Sequence, residues 1–248
     1  MNDRLVMVVP TYNEADNLPH VVRRILLAVP DAEILVVDDN SADGTGLIAD
    51  QLAAADARVH VLHRAGKEGL GAAYKAGFRE ALARGYDVIG EIDADLSHQP
   101  EQLPDLIAAL ADADLVIGAR WMPGGRVENW SRFREALSRG GNLYIRTLLG
   151  VPLRDSTAGY RLFRRATLEQ IDLDSVISTG YVFQADLAYR TLQAGLRVVE
   201  VPITFVERVR GESKMTTDVA TESLKRITQW GVEQRRRQLG RMLRGRQR

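Results

Sequence analysis

The segment Val88-Ile89-Gly90-Glu91-Ile92-Asp93-Ala94-Asp95 sets the reading of the whole chain. A short run rich in Val and Ile, bounded by polar residues, reads as a buried central strand over Val88 to Ile92, and two aspartates leave its carboxyl end. Working outward, Leu5 to Val9, Ile34 to Val37, Arg58 to Leu62 and Leu115 to Ile117 have the same character. Between them, Asn17–Ala28, Gly46–Ala55, Leu70–Ala83 and Gln102–Leu110 repeat apolar residues at helical spacing. This alternation predicts an α/β domain with a mostly parallel central sheet flanked by helices, and ligands on such sheets sit beyond the carboxyl ends of the strands.

The second half is less regular. Trp130 to Leu149 and Tyr181 to Leu192 read as helices, and Leu196 to Val206 reads as one strand or two short ones, with Pro202 favouring a sheet edge. A loop from Glu207 to Thr216 leads to a last helix from about Asp218. Neither an internal repeat nor a low-complexity linker is visible, so residues 1–230 read as a single domain and residues 231–248 as a basic tail.

Length and composition narrow the function. The 248 residues are 45% hydrophobic and 27% charged, enough for one sizeable core, which excludes disordered and collagenous chains. With no cysteine, disulfides, thiolate metal sites and cysteine nucleophiles are excluded, and the four histidines show no zinc-ligand spacing. The longest apolar run, Leu106 to Ala111, falls far short of the ~20 residues that cross a bilayer. Met1 to Arg4 leads straight into a strand rather than a signal peptide. Net charge is zero, which gives no reason to expect nucleic acid. The charge is unevenly laid out, however. From Lys225 to Arg248 nine basic residues face Glu233 alone, a local +8 that leaves −8 on the body.

Three groups of residues carry possible chemistry. Pro10-Thr11-Tyr12-Asn13-Glu14 and Asp38-Asp39-Asn40-Ser41-Ala42-Asp43-Gly44-Thr45 are polar turns at the carboxyl ends of the first two strands, suited to a nucleotide base and ribose, although Asn40, Ser41, Asp43 and Gly44 are also ordinary turn and cap residues. Asp93 and Asp95 can hold Mg²⁺ or Mn²⁺ with a substrate diphosphate filling the other positions. Asp112-Ala113-Asp114 and Asp172-Leu173-Asp174 repeat the spacing, but the first precedes a strand and the second joins helices, so both read as solvated. Gly66 to Gly71 fails the phosphate-loop and dinucleotide templates and reads as a glycine-rich lead into the helix from Leu70. Finally, Arg120, the pair Arg134 and Ser138 on one helix face, and Arg208 and Lys214 flanking Gly211-Glu212-Ser213 could grip anionic groups.

Together with Gly118-Ala119-Arg120, Ser138-Arg139-Gly140-Gly141-Asn142, Thr157-Ala158-Gly159-Tyr160-Arg161-Leu162, Gly180-Tyr181-Val182-Phe183-Gln184 and Arg208 to Lys214, these motifs resemble the polyprenol-phosphate (dolichol-phosphate) mannose synthases, inverting glycosyltransferases of the GT-A fold. The resemblance runs from about Leu5 to about Trp230. It implies that Pro10, Tyr12, Glu14, Val37 and Asp39 cradle the guanosine of GDP-mannose, and that Asp93, Ala94 and Asp95 lie at the diphosphate and sugar, with both aspartates on Mg²⁺ or Mn²⁺. Some relatives have glutamine where this chain has Ser97, which leaves a third side-chain ligand open. It further implies that Arg120, Arg134 and Ser138 bind the phosphate of a polyprenyl monophosphate, with Asp95 and Arg120 catalytic, while Arg208 and Lys214 close over the donor phosphates.

That chemistry needs no general base. A phosphate monoester has its second pKa near ~6, so at neutral pH it is already an anionic nucleophile. A hydroxyl acceptor would instead need a side chain to take its proton. One-step attack on the anomeric carbon would convert the α-linked donor into a β-linked product. A UDP-glucose-dependent synthase and a non-catalytic nucleotide-sugar binding subunit are the competing readings. With no spanning segment, the chain is expected to work peripherally at the cytoplasmic face of the membrane. An anchoring partner protein, or a surface formed by the helix bearing Leu224, Ile227 and Trp230 with the arginines after it, would bring it to its lipid.

Overall fold

The computed structural model describes residues 3–176, 181–208 and 227–232. Five predicted strands form as β1 (Leu5–Thr11), β2 (Glu33–Asp38), β3 (Val59–His63), β4 (Val88–Glu91) and β5 (Leu115–Ala119). They alternate with α1 (Leu18–Ala28), α2 (Thr45–Ala55), α3 (Leu70–Ala83) and α4 (Leu103–Ala109). The later part adds β6 (Arg126–Glu128), α5 (Arg132–Leu149), β7 (Arg161–Arg164), α6 (Arg165–Gln170), α7 (Tyr181–Gln193), β8 (Val198–Pro202) and β9 (Thr204–Val206).

Seven strands make one sheet in the order β3-β2-β1-β4-β7-β5-β8, and β6 pairs with β9 in a separate ribbon. The sheet is parallel except for β7, which runs antiparallel between β4 and β5. Sequence reading missed β7, a four-residue strand with arginine at both ends. Pro202 does what a proline in a strand should. It ends β8 at the sheet edge, and the chain crosses to the ribbon as β9, so the segment is two strands rather than one.

Strand order reverses direction between β1 and β4, which sends successive crossovers to opposite faces and opens a crevice at the carboxyl ends of these strands. The sheet is covered on both sides, and for that reason its strands read as unbroken apolar runs. Along β1, Val6 and Val8 pack with Tyr74, Phe78 and Phe183 on one face, while Met7 and Val9 pack with Val21, Ile25 and Leu106 on the other. Each such side chain contributes roughly 1.5–3 kcal/mol on burial. α3 lies unusually close to the sheet, because a Cβ at Gly77 would fall 2.4 Å from Val8 Cγ1. α5 starts at Ser131, whose Oγ accepts the Arg134 N–H at 3.3 Å, and ends at Gly150 with φ of +64°.

Candidate functional site

The two polar turns are stitched to each other by the residues with the best turn and cap chemistry. Asn13 N–H donates to Ser41 Oγ (2.9 Å), Ala42 N–H to Asn13 Oδ1 (3.1 Å), Glu14 N–H to Thr45 Oγ1 (2.9 Å) and Ala15 N–H to Asp43 Oδ2 (3.1 Å). Those four side chains hold the cradle and leave Tyr12, Glu14 and Asp39 along it. Pro10 is half-buried there, whereas the Val37 side chain lies wholly in the core, so Val37 could meet a ligand only through its backbone. The same holds for Ala94.

Asp39 is buried and ion-paired with Arg64, and burial outweighs that cation to raise its carboxyl above the usual range. Lys67 places Nζ 4.1 Å from the centroid of the Tyr12 ring. The loop after β3 does lead into α3, with Gly69 at φ of +96° before Leu70, and it also delivers Arg64 and Lys67 to the cradle. Sequence reasoning missed both. Their position just past the carboxyl end of a strand is the signal that could have found them.

At the end of β4, Asp93 accepts a hydrogen bond from Tyr74 OH (3.1 Å), and Asp95 Oδ1 accepts the Ser97 N–H (3.0 Å). Burial and the charge of Asp95 push Asp93 up to about 7. The turn is strained at Leu96, a bulky residue at φ of +62°, as occurs where function over-determines the backbone. His98 Nδ1 lies 3.9 Å from Asp93 Oδ2, and burial between Tyr160 and Phe205 pushes the ring down to about 4, so it is neutral. Ser97 Oγ and both His98 ring nitrogens are buried without a hydrogen-bond partner. Two carboxylates that resist ionising together, beside orphaned polar atoms, fit a hard divalent cation. Among the described residues no three carboxylates or histidines could hold such an ion by themselves, so ligand oxygens would complete its shell. Arg208 Nη2 reaches Asp95 Oδ2 at 3.0 Å, whereas Lys214 lies outside the described residues.

At the end of β5, Arg120 is buried against Asp155, with the Trp121, Trp130 and Phe205 rings 5.4–5.7 Å from its Cζ. Arg134 stacks on the other indole contact, 4.1 Å from the Trp130 centroid, and pairs with Glu207. Ser138 Oγ accepts the Trp121 Nε1–H at 3.2 Å, and Arg139 lies 4.3 Å from that ring. The three residues expected at the acceptor phosphate are thus gathered around two tryptophans that sequence reading passed over. The competing aspartate pairs are elsewhere: Asp114 accepts the Arg197 N–H (2.7 Å) before β5, Asp174 pairs with Arg79, and Asp112 and Asp172 are exposed.

The expected membrane face on the last helix is corrected. Ile227 is buried in the core and Trp230 stacks on Tyr189 with centroids 6.4 Å apart, so both pack inward, while Leu224 and residues 233–248 lie outside the described residues. The apolar face that meets solvent is on α5, where Phe133 is 79% exposed, Leu137 55% and Leu143 62%. Arg132, Arg139 and Arg146, spaced seven apart, line one flank of it. Among the described residues no helix is long and apolar enough to cross a membrane.

Residues 6–172 match the family described as Glycosyl transferase family 2. The chain is 55% identical to an undecaprenyl-phosphate mannosyltransferase of Micrococcus luteus over 94% of its length and 96% of that protein's. It is 54% identical to a polyprenol monophosphomannose synthase of Mycolicibacterium smegmatis, again over 94% of its own length and 88% of the relative's. Among solved structures, a mannosyltransferase from Pyrobaculum calidifontis in complex with GDP-Man and Mn²⁺ superposes with a TM-score of 0.58 at 20% identity, covering 86% of this chain and 59% of that one. Glucosyl-3-phosphoglycerate synthase from Mycobacterium tuberculosis, in complex with Mn²⁺ and UDP-glucose, superposes with a TM-score of 0.65 at 20% identity, covering 92% and 78%. These structural likenesses speak to the GT-A fold, and the close relatives speak to the family: the chain is a glycosyltransferase of family 2 and belongs to the polyprenol-phosphate mannose synthases.

Proposed function

We propose that the chain transfers mannose from GDP-mannose to the phosphate of a polyprenyl monophosphate, with inversion. One observation carries the reading. In sheet order, the carboxyl edge presents the nucleoside cradle on β2 and β1, the aspartate pair on β4 and the arginine cluster on β5, so a donor lying along it points its anomeric carbon towards the arginines. Tyr12, Glu14 and Asp39 hold the nucleoside. Arg120, Arg134 and Ser138 hold the acceptor phosphate in line. Arg208, with Lys214, neutralises the donor phosphates. A divalent metal on Asp93 and Asp95 would supply stabilisation of the departing diphosphate. No side chain need take a proton from an acceptor that is already anionic, which agrees with His98 being buried and neutral. Peripheral docking at the cytoplasmic face is supported by the apolar, arginine-flanked face of α5, next to Arg134 and Ser138. Each basic residue near anionic lipid adds ~1 kcal/mol.

The test is transfer of labelled mannose from GDP-mannose into organic-extractable product, with polyprenyl phosphate and with or without Mn²⁺. Label requiring both is expected. Preference for UDP-glucose would overturn the donor, and binding without turnover of either sugar would make the chain a nucleotide-sugar binding subunit.

Metal binding should be pH-dependent. Because the Asp93 carboxyl sits at about 7, it must lose a proton to become a ligand. Apparent Mn²⁺ affinity is therefore expected to fall about tenfold per pH unit below that value, with proton release visible by calorimetry in buffers of different ionisation heat. An affinity flat between about pH 5 and 8 would contradict it.

A further inference from the structure

We propose that Asp155 is a positioning residue, which sets the Arg120 guanidinium for the acceptor phosphate. This rests on the reading that Arg120 meets that phosphate. Asp155 is fully buried and engages Arg120 at three points: Oδ2 accepts the main-chain N–H (2.9 Å) and Nε–H (2.7 Å), and Oδ1 accepts Nη2–H (2.7 Å). The carboxylate therefore spans the Nε–Nη2 edge in a bidentate fork, which fixes the plane of the guanidinium. Thr157 Oγ1 accepts from the same Nη2 at 3.1 Å. Asn142 of α5 donates to Asp155 Oδ1 (3.3 Å) and Thr157 Oγ1 (3.1 Å), which ties the pair to the helix bearing Arg134 and Ser138.

The loop that carries Asp155 is itself pinned on both sides. Glu200 of β8 accepts the N–H groups of Arg154 (2.9 Å) and Asp155 (2.7 Å). Arg161 of β7 donates to the carbonyls of Ser156 and Ala158, both at 2.7 Å. A side chain required only to neutralise a buried arginine does not need its backbone held by a half-buried glutamate and a fully buried arginine. Fixing one rotamer of a long side chain does need it, and a displacement of about 1 Å at such a group costs about 100-fold in rate.

Asp155→Asn keeps the volume and one acceptor oxygen but turns an NH₂ towards the guanidinium. We expect acceptor kcat/KM to fall about 10–100-fold through a raised acceptor KM, with GDP-mannose Kd within about twofold of the parent. In an Arg120→Gln background the same change should cost nothing more in acceptor KM, because the residue through which it acts is gone. A lower kcat at unchanged KM, the signature of fewer folded molecules, would overturn the proposal, as would a further tenfold loss in the double variant. If Asp155→Asn is too unstable to assay, comparison of Arg120→Gln with the double variant, in which both buried charges are removed together, decides on the same criterion. An Arg120→Gln variant with unchanged acceptor KM would instead overturn the assignment of Arg120 to the acceptor phosphate.

Discussion

Asp95→Asn is expected to lower kcat for mannose transfer by about 10³-fold, equivalent to about 4 kcal/mol of transition-state stabilisation, while leaving the melting temperature nearly unchanged. The size follows from what the site has to offer. Among the described residues no third carboxylate or histidine joins Asp93 and Asp95 in holding a cation, so removing one charge halves the protein's share of the ligands. The fold should tolerate the change because asparagine retains the oxygen that accepts the Ser97 N–H. The ion pair with Arg208 that it loses joins a buried carboxylate to a guanidinium that still reaches solvent, so the variant leaves no charge sealed in the core without a partner. A second readout separates loss of the metal from loss of the fold. Asp93 is held up partly by the Asp95 charge, so in the variant its carboxyl should move back down, and the weaker Mn²⁺ binding that remains should depend less on pH. Transfer within tenfold of the parent at saturating Mn²⁺ would remove Asp95 from the reaction centre.

The same physics explains which parts of the molecule were legible in the sequence. β1, β2, β4 and β5 are buried on both faces, so their apolar runs stand out regardless of what they pair with. Strand polarity separates the aspartate pair at the carboxyl end of β4 from Asp112 and Asp114, which precede β5. What stayed hidden depends on partners far along the chain. β7 inserts between β4 and β5, and the residue that would mark it as buried, Arg161, is an arginine whose burial rests on the carbonyls of Ser156, Ala158 and Gln184, with Glu91 on the neighbouring strand beside it. Asp155 meets its partners across 35 residues to Arg120 and 45 to Glu200, and nothing local in Arg154-Asp155-Ser156 announces either. The last helix was misread for a related reason. A stripe holding Ile227 and Trp230 has the same period whether it faces lipid or protein, and only Tyr189 and the core reveal which. On α5 the period pointed inward through Asn142, Ile145 and Leu149, while the second apolar face, through Phe133, Leu137 and Leu143, became visible only once the first was seen to be satisfied.

Arg161→Met is expected to destabilise the protein by about 3–5 kcal/mol, the largest loss among single substitutions away from the nucleotide crevice. Arg161 is among the bulkiest fully buried side chains of the described residues, and its guanidinium donates to the carbonyls of Ser156 (2.7 Å), Ala158 (2.7 Å) and Gln184 (2.6 Å) and lies 3.2 Å from Glu91 Oε1. Methionine fills the volume but leaves three buried carbonyls without that donor, each worth about 1–3 kcal/mol if water cannot replace it. Glu91 then loses the cation that opposes its burial. Its carboxyl already stands at about 8, raised by burial and by Asp93 and lowered by Arg161. In the variant it must stand higher still. A carboxyl raised in the folded state stabilises the fold at low pH and ceases to do so as pH climbs through the folded value. Below about 8, parent and variant both carry Glu91 protonated and differ only by the carbonyls. Above it, the parent can ionise Glu91 against Arg161 and the variant cannot, so the deficit should widen. Urea unfolding at about pH 6 and about pH 9 measures both parts. A deficit below 1 kcal/mol at the lower pH, or one that shrinks at the higher, would show that Arg161 does not clamp the Ser156 to Ala158 loop. A variant that keeps its fold but loses the clamp should also raise the acceptor KM, because the same loop aims Asp155 at Arg120.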